Sequence, residues 1–302
     1  MGSQPCAAVA LFLLFVSQSL LVHSLWPAPS SYSSTHQLTL GISPTSFSIS
    51  VSPSSWVWGK WAADLYAKQI LFPFKEVAGS YSYSSTASPN EVEVDGFLKS
   101  LRINLTNTQL ADLTPGAEAI SMDTTSEEYK LVVSEKSTLE CGHPIGCLRG
   151  LETFSQLILY MPESDLYVVG DTKATFEKAC PITIEDRPQY AWRGVMLDTS
   201  AHFISPGKIL DLIDGMMFNK LNVLHWRITG SESFPLQSES EPQLSQLGSW
   251  APGYDFHIYI YNLFLYKYIL YIYMYIFLSS FLLQGTVFST LRSLCVEFGS
   301  VN

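Results

Sequence analysis

The segment from residue 192 to residue 228 constrains the fold more than any other part of the chain. Two short apolar runs, WRGVMLD and LNVLHWRI, lie on either side of a stretch with helical periodicity. A Ser-Pro pair at 205–206 is a typical N-cap and first turn, and apolar residues recur at Ile209, Ile213 and Met216. Near-continuous apolar strands joined through a helix predict a βαβ unit in a parallel sheet that is buried on both faces.

The functional groups of such folds lie in the loops that follow the carboxyl ends of the strands. Here those loops begin at Asp198 and Thr229. Asp198 and His202 are therefore candidates for the wall of a pocket. Asp198 also has a purely structural explanation, because a carboxylate at a strand end can accept hydrogen bonds from loop amides.

The first part of the chain predicts a separate α+β domain over residues 25–165, ahead of a second unit at 188–255. Strand-like runs and helical repeats follow one another along it. Strands are predicted at 47–51, 97–105 and 129–133, and helices at 58–71 and 148–160.

Charge and cysteine spacing exclude two kinds of partner. The chain has 17 Lys and Arg against 27 Asp and Glu, a net charge of -10, and no basic run, so nucleic acid is not expected to bind. Cys141 and Cys147 flank the turn GHPIG, but no second Cys/His pair accompanies them, so no metal site is expected. The two cysteines either close a small disulfide loop or remain free thiols.

Residues 1–24 have the pattern of a secretory signal. AAVALFLLFV is an apolar core, and small residues precede a cleavage position after Ser24. An uncleaved anchor is the alternative, although the apolar core is short for a membrane span. Entry into the secretory pathway predicts an extracellular, cell-wall or vacuolar location. There Asn104, in an Asn-Leu-Thr triplet, is a glycosylation candidate, although such triplets also occur by chance.

The tail at residues 256–302 differs in kind from the rest of the chain. Its segment 256–283 is long and apolar enough to span a bilayer. However, Tyr is spread through it and Lys267 falls near its middle, whereas membrane helices concentrate Tyr at the two interfaces. An AT-rich alternating tract would encode such Tyr-Ile repeats. We therefore interpret the tail as unrelated sequence, from a retained intron or a gene-model error, with a membrane segment as the alternative.

Several longer motifs resemble glycoside hydrolase family 20, the β-N-acetylhexosaminidases, and its plant-type members especially. The motifs include WPAPSSYS, LRGLETFSQL, DRPQYAWRGVMLDTSAHF and FNKLNVLHWRITGSESFPLQS, in the family's order over residues 25–254. The resemblance implies an N-terminal α+β domain followed by the start of a (β/α)8 TIM barrel, incomplete here with about two strands.

The same resemblance implies the chemistry. Family members remove terminal N-acetylglucosamine or N-acetylgalactosamine from glycans by a substrate-assisted retaining mechanism. The substrate's acetamido oxygen attacks the anomeric carbon, an Asp stabilises the acetamide, and the adjacent Glu protonates the leaving oxygen. No metal or organic cofactor takes part, and a homodimer is the assembly implied for the full-length family.

The chain departs from the family at the positions that contact substrate. Ala201 stands where the family has the Arg of TSRHF. The run HWRITG replaces HWHITD, so that Arg227 stands for a His and Gly230 for an Asp. Nothing after Gly230 matches the Gly-Gly-Asp-Glu motif of the catalytic pair, and Glu232 and Asp255 have no adjacent carboxylate. No catalytic residue is therefore assigned.

Three interpretations stay open. The first is a truncated and inactive form of a β-N-acetylhexosaminidase. The second is a non-catalytic secreted protein that binds glycans, and the third is a membrane-tethered product that uses the tail. The three interpretations predict different results for glycoside hydrolysis, for glycan binding in solution and for extraction of the protein from membranes.

Overall fold

The computed structural model describes most of the chain between residues 25 and 249. The described ranges are 25–73, 92–112, 124–162, 164–170, 178–200, 202–230, 233–235, 241–249 and 273–276. The predicted signal, most of the tail, Ala201, Glu232 and Asp255 lie outside them. Within these ranges no helix is long and apolar enough to cross a membrane.

Ten strands in the described ranges build the N-terminal unit. They are β1 (Ser31–Leu38), β2 (Leu40–Ile42), β3 (Ser48–Ser52), β4 (Gly96–Leu98), β5 (Ser100–Leu105), β6 (Tyr129–Val133), β7 (Lys136–Cys141), β8 (Ile158–Met161), β9 (Leu166–Val169) and β10 (Cys180–Asp186). Six form one sheet in the order β1-β10-β6-β7-β5-β3, and four form a second sheet in the order β4-β2-β9-β8. The first sheet is mixed, since β3, β5 and β7 run parallel while β7, β6, β10 and β1 alternate in direction.

In the described residues two α-helices accompany these sheets, α1 (Val57–Leu65) and α2 (Pro144–Gln156). Helix α2 begins where Pro144 supplies the first helical position and the His143 side chain accepts a hydrogen bond from the Ile145 amide at 3.2 Å. Its apolar side enters a core that includes Phe154 and, from β7, Leu139. Alternation along each strand gives the sheet one buried face, as the strand period of two requires.

Two predicted boundaries in this unit are wrong. The domain does not end at residue 165, because β10 lies between β1 and β6 in the first sheet and the unit extends to Asp186. The predicted helix at 148–160 begins four residues earlier and ends at Gln156, because residues 158–161 leave it to pair with β9. The pairing of β10 with β1 is remote in sequence and leaves no local signal. Residues 158–161 are a short apolar run whose pattern suits a helix as well as a strand.

The second unit contains the predicted βαβ arrangement. Strands β11 (Gly194–Asp198) and β12 (Val223–Arg227) are parallel neighbours joined through α3 (Pro206–Phe218). A further short helix, α4 (Gln243–Gly248), follows β12.

The prediction of about two strands in this sheet needs correction, because a third strand is present. Strand β13 (Tyr273–Ile276) pairs parallel with β12, and it lies within residues 256–302, the tail predicted to be unrelated sequence. The sequence Tyr-Met-Tyr-Ile alternates aromatic and aliphatic residues, a composition that suits a strand. The edge of β12 also offers unpaired backbone N–H and C=O groups with which such a segment can pair.

The two faces of this sheet carry different residues. One face packs against α3, with Leu224, Trp226 and Ile228 in a core with the helix residues Ile209 and Met216. Successive side chains of a strand point to opposite faces of the sheet, so Asp198 of β11 and Arg227 of β12 lie on the face away from α3. The strand register places these two residues side by side.

Candidate functional site

The candidate site lies at the carboxyl ends of β11 and β12, on the face away from α3. The register of the two strands sets Asp198 directly opposite Arg227. This is the edge of a parallel sheet at which ligands bind in α/β folds, so the structure brings together the two positions that the sequence singles out there.

The Asp198 carboxylate is already engaged by residues of this chain. One oxygen, Oδ2, accepts a hydrogen bond from Arg227 Nη1 at 2.7 Å. The other, Oδ1, accepts two, from the Ser200 hydroxyl at 2.6 Å and from the Ser200 amide at 2.9 Å. The Ser200 hydroxyl first, then its amide and Arg227, hold the pKa of Asp198 below its usual value. Asp198 is therefore an ionised acceptor whose charge is balanced by a neighbour.

Gly230 borders this ion pair from the loop after β12. A Cβ atom added at Gly230 would lie 3.1 Å from Ser200 Oγ and 3.3 Å from Arg227 Nη2. The Gly230 amide donates to the carbonyl of Ser233 at 2.9 Å, which turns the loop back on itself. A side chain at position 230 would thus point at the Asp198–Arg227 pair, and in this chain that place holds no functional group.

The other predicted site residues contribute less. His202 is exposed, and among the described residues no hydrogen bond joins it to Asp198. Ala201 lies outside the described residues. A search of the described ranges finds no group of His, Cys, Asp and Glu side chains that could hold a metal ion.

Sequence reasoning missed two residues that support the site. Ser200 supplies two of the three donors to Asp198, and the only sequence signal is the Asp-x-Ser spacing that is typical of a local side-chain turn. Thr199 accepts a hydrogen bond from the indole Nε1 of the buried Trp226 at 2.9 Å. This contact ties the loop after β11 to the core beneath β12.

The remaining candidates lie in the N-terminal unit. Asn104 sits in β5, where its Oδ1 accepts a hydrogen bond from Arg102 Nε at 3.0 Å on the less buried side of the strand. Cys141 and Cys147 are joined in a disulfide, which links the end of β7 to the first turn of α2. Cys180 is a buried free thiol whose pKa is raised to about 12 by burial, so it is not a nucleophile at neutral pH.

Two families of known domains match the chain, in the order of its two units. Residues 25–157 match the family described as "beta-acetyl hexosaminidase like", and residues 190–275 match "Glycosyl hydrolase family 20, catalytic domain". This chain belongs to glycosyl hydrolase family 20. The family's enzymes are glycosidases, and the second match continues to residue 275, beyond the boundary at 255 predicted for the barrel.

Named relatives place the chain among the family 20 hexosaminidases. It is 33% identical to "Beta-hexosaminidase subunit beta" of Mus musculus over 83% of this chain and 42% of that protein. It is 32% identical to "Beta-hexosaminidase 1" of Arabidopsis thaliana over 73% of this chain and 38% of the relative. The chain thus spans about two fifths of the length of these relatives.

Solved family 20 structures have the same fold. The chitobiase of Flavobacterium johnsoniae superposes with a TM-score of 0.57 at 22% identity, over 83% of this chain and 34% of that one. The N-terminal α+β unit followed by the first strands of a TIM-type catalytic domain is therefore the family architecture.

Proposed function

We propose that this protein derives from a β-N-acetylhexosaminidase and that the chain described here is an inactive form of it. The reaction of the family is removal of terminal N-acetylhexosamine residues from glycans, and GlcNAc- or GalNAc-terminated glycans are the proposed substrate class. The observation that supports this is the order of the two family matches, with Asp198 and Arg227 at the catalytic edge of the second.

Inactivity is proposed from the chemistry of the residues present. The substrate-assisted mechanism needs an acid to protonate the leaving oxygen and a carboxylate to stabilise the acetamide. The sequence contains no Asp-Glu dipeptide to supply them. Loss of such a pair removes most of the electrostatic stabilisation of the transition state.

Sugar binding at the remaining edge is also proposed to be weak. Gly230 in place of an Asp removes one acceptor for sugar hydroxyls, and Arg227 has taken up one oxygen of Asp198. Each hydrogen bond lost from a closed pocket costs about 1–3 kcal/mol. The two replacements also shift the local charge by about two units toward positive, away from a site built on carboxylates.

A hydrolysis assay tests the proposal. Purified chain is incubated with 4-nitrophenyl N-acetyl-β-glucosaminide, and circular dichroism in the same buffer reports whether it is folded. Folded protein without turnover is the expected result. Specific turnover above that of a Gly230→Pro variant, in which the loop is disrupted, would overturn inactivity. Tight glycan binding without turnover would instead support the non-catalytic secreted alternative.

A further inference from the structure

A cavity lies between the two units, remote from the candidate site. It has a volume of about 700 Å³. Arg193, which lines it, immediately precedes β11, and Lys220, which also lines it, precedes β12, so the cavity lies at the amino ends of the strands. Asp198 and Arg227 lie at the opposite, carboxyl ends. The reaction of the family does not use this end of the sheet.

The floor of the cavity is a buried charge cluster with one positive charge in excess. Glu127 accepts a hydrogen bond from Arg149 Nε at 2.7 Å and another from Arg193 Nη2 at 2.7 Å. The side chains of Arg149 and Glu127 are only 4% and 8% exposed. Burial by itself would raise the pKa of Glu127, but the charge of Arg149 and the contacts of Arg193 hold it below its usual value. Two guanidinium groups therefore share one carboxylate.

The neighbouring ion pair adds no net charge. Lys220 Nζ contacts Asp186 Oδ2 at 3.2 Å and donates to the hydroxyls of Tyr129 and Thr153 at 3.0 and 2.6 Å. Asp186 Oδ1 accepts from Ser30. The ammonium and the carboxylate are thus satisfied by each other and by hydroxyl groups, and neither is left for a ligand.

Two donors remain for an incoming group. Among the described residues, the hydrogen bonds of Arg149 are made by Nε and Nη2, which leaves Nη1. Arg187 at the mouth of the cavity is exposed, and in the described part of the chain its guanidinium makes no ion pair. With Arg149, Arg187, Arg193 and Lys220 against Glu127 and Asp186, the lining carries two more cations than anions.

The mouth of the cavity is held in place by the backbone. The Tyr190 carbonyl accepts a hydrogen bond from Arg193 Nη1 at 2.7 Å, and the Arg187 carbonyl accepts one from Ser30 Oγ at 3.2 Å. The segment that carries Arg187 is therefore anchored at both ends to the buried clusters. The backbone that carries Arg187 is thus fixed, and the planar fork of its guanidinium suits a planar or tetrahedral oxyanion.

We propose that this junction cavity is a binding site for a small ligand that carries an oxyanion, such as a carboxylate, sulfate or phosphate group. The excess positive charge of the lining favours a negatively charged ligand. The guanidinium of Arg187 and Nη1 of Arg149 supply the hydrogen-bond donors. A volume of about 700 Å³ accommodates either a free oxyanion together with water molecules or a monosaccharide that carries an oxyanion.

Calorimetric titration of the full chain tests the proposal. Inorganic phosphate, N-acetylglucosamine 6-phosphate and uncharged N-acetylglucosamine are titrated at constant ionic strength set with sodium chloride. Saturable binding of the two phosphates is expected. Tighter binding of the sugar phosphate would identify a sugar-borne oxyanion as the ligand, and equal binding would identify the free ion.

Two variants locate the site. Arg187→Gln is expected to weaken phosphate binding about tenfold, because a charge-assisted hydrogen bond is lost from an exposed residue that the fold does not need. Arg102→Gln is the control, since Arg102 is an exposed arginine on a strand of the N-terminal sheet. The proposal fails if wild type shows no saturable phosphate binding, if Arg187→Gln binds like wild type, or if uncharged sugar binds as tightly as its phosphate.

Discussion

At the scale of single residues, the site is defined by the hydrogen-bond donors that contact the Asp198 carboxylate. Its position at a strand end could be predicted from the periodicity of a βαβ unit, and the resemblance to family 20 motifs singled out Gly230 as a position without a functional side chain. The donors could not. Ser200 reaches Asp198 through a local turn, for which the Asp-x-Ser spacing is only a weak signal. Arg227 reaches it through strand register, which leaves no signal in residue spacing.

The Ser200 hydroxyl gives a direct test of that arrangement. Ser200→Ala is expected to raise the pKa of Asp198 toward its ordinary value, because the hydroxyl is the largest of the contacts that lower it. Carboxyl carbon chemical shifts followed through an acid titration measure the change. Ser205→Ala is the matched control, since its side chain makes no capping hydrogen bond. An unchanged pKa in Ser200→Ala would show that the hydroxyl does not contact the carboxylate.

Replacement of the buried Glu127 tests how much the ion cluster at the junction between the units contributes to the free energy of unfolding. Glu127→Gln leaves two guanidinium groups without a charged partner, and the loss of a buried partner typically costs about 3–5 kcal/mol of the free energy of unfolding. Because the folded pKa of Glu127 is lowered, its contribution is present above the unfolded pKa of about 4.3 and disappears as the pH falls through the folded value.

Urea unfolding of Glu127→Gln at neutral and acid pH measures both effects. Glu140→Gln, an exposed position on β7, is the control and should leave the free energy of unfolding nearly unchanged. Equal stabilities of the two variants at neutral pH would contradict a buried ion cluster at the junction. A loss that does not diminish as the pH falls from neutral through the acid range would contradict the lowered pKa of Glu127.

At the scale of elements, helical and strand periodicity predicted the βαβ unit, because each of its two strands and its helix carries a clear apolar pattern of its own. The same reasoning misplaced the end of α2 and overlooked β8 and β10. Residues 158–161 continue a helical apolar pattern, yet they pair with β9. Propensity in such short apolar runs is weaker than the pairing that a sheet offers, and only the folded chain determines which one prevails.

Substitution of two helical glycines by alanine separates the effect of tight helix packing on stability from the effect of helix propensity. A Cβ atom added at Gly146 of α2 would lie 2.4 Å from the backbone oxygen of Glu128, whereas one at Gly215 of α3 would have nothing within 4 Å. Gly146→Ala is expected to lower the free energy of unfolding by about 2 kcal/mol through overpacking. Gly215→Ala should raise it by up to about 1 kcal/mol, because alanine favours a helix. Urea unfolding of both variants measures the difference, and equal effects of the same sign would contradict the packing of α2.

At the scale of the whole molecule, the two units are joined through buried contacts that the sequence did not predict. Met217 of α3 belongs to the core of the N-terminal unit, and Lys220 and Arg193 bind its acidic residues. Motifs identified the family and the order of the units. They could not show that the loop after α3 inserts into the first unit, since that contact depends on side chains that are distant in the chain.

At the carboxyl edge of β11 and β12, Arg227 and Ser200 of the chain itself already occupy the Asp198 carboxylate. Titration of isotopically labelled protein with N-acetylglucosamine, followed by amide and side-chain resonances, tests it most directly. We expect no saturable shifts at Asp198, Ser200 or Arg227, up to the solubility of the sugar. Saturable shifts at these three residues in the wild-type chain would contradict it.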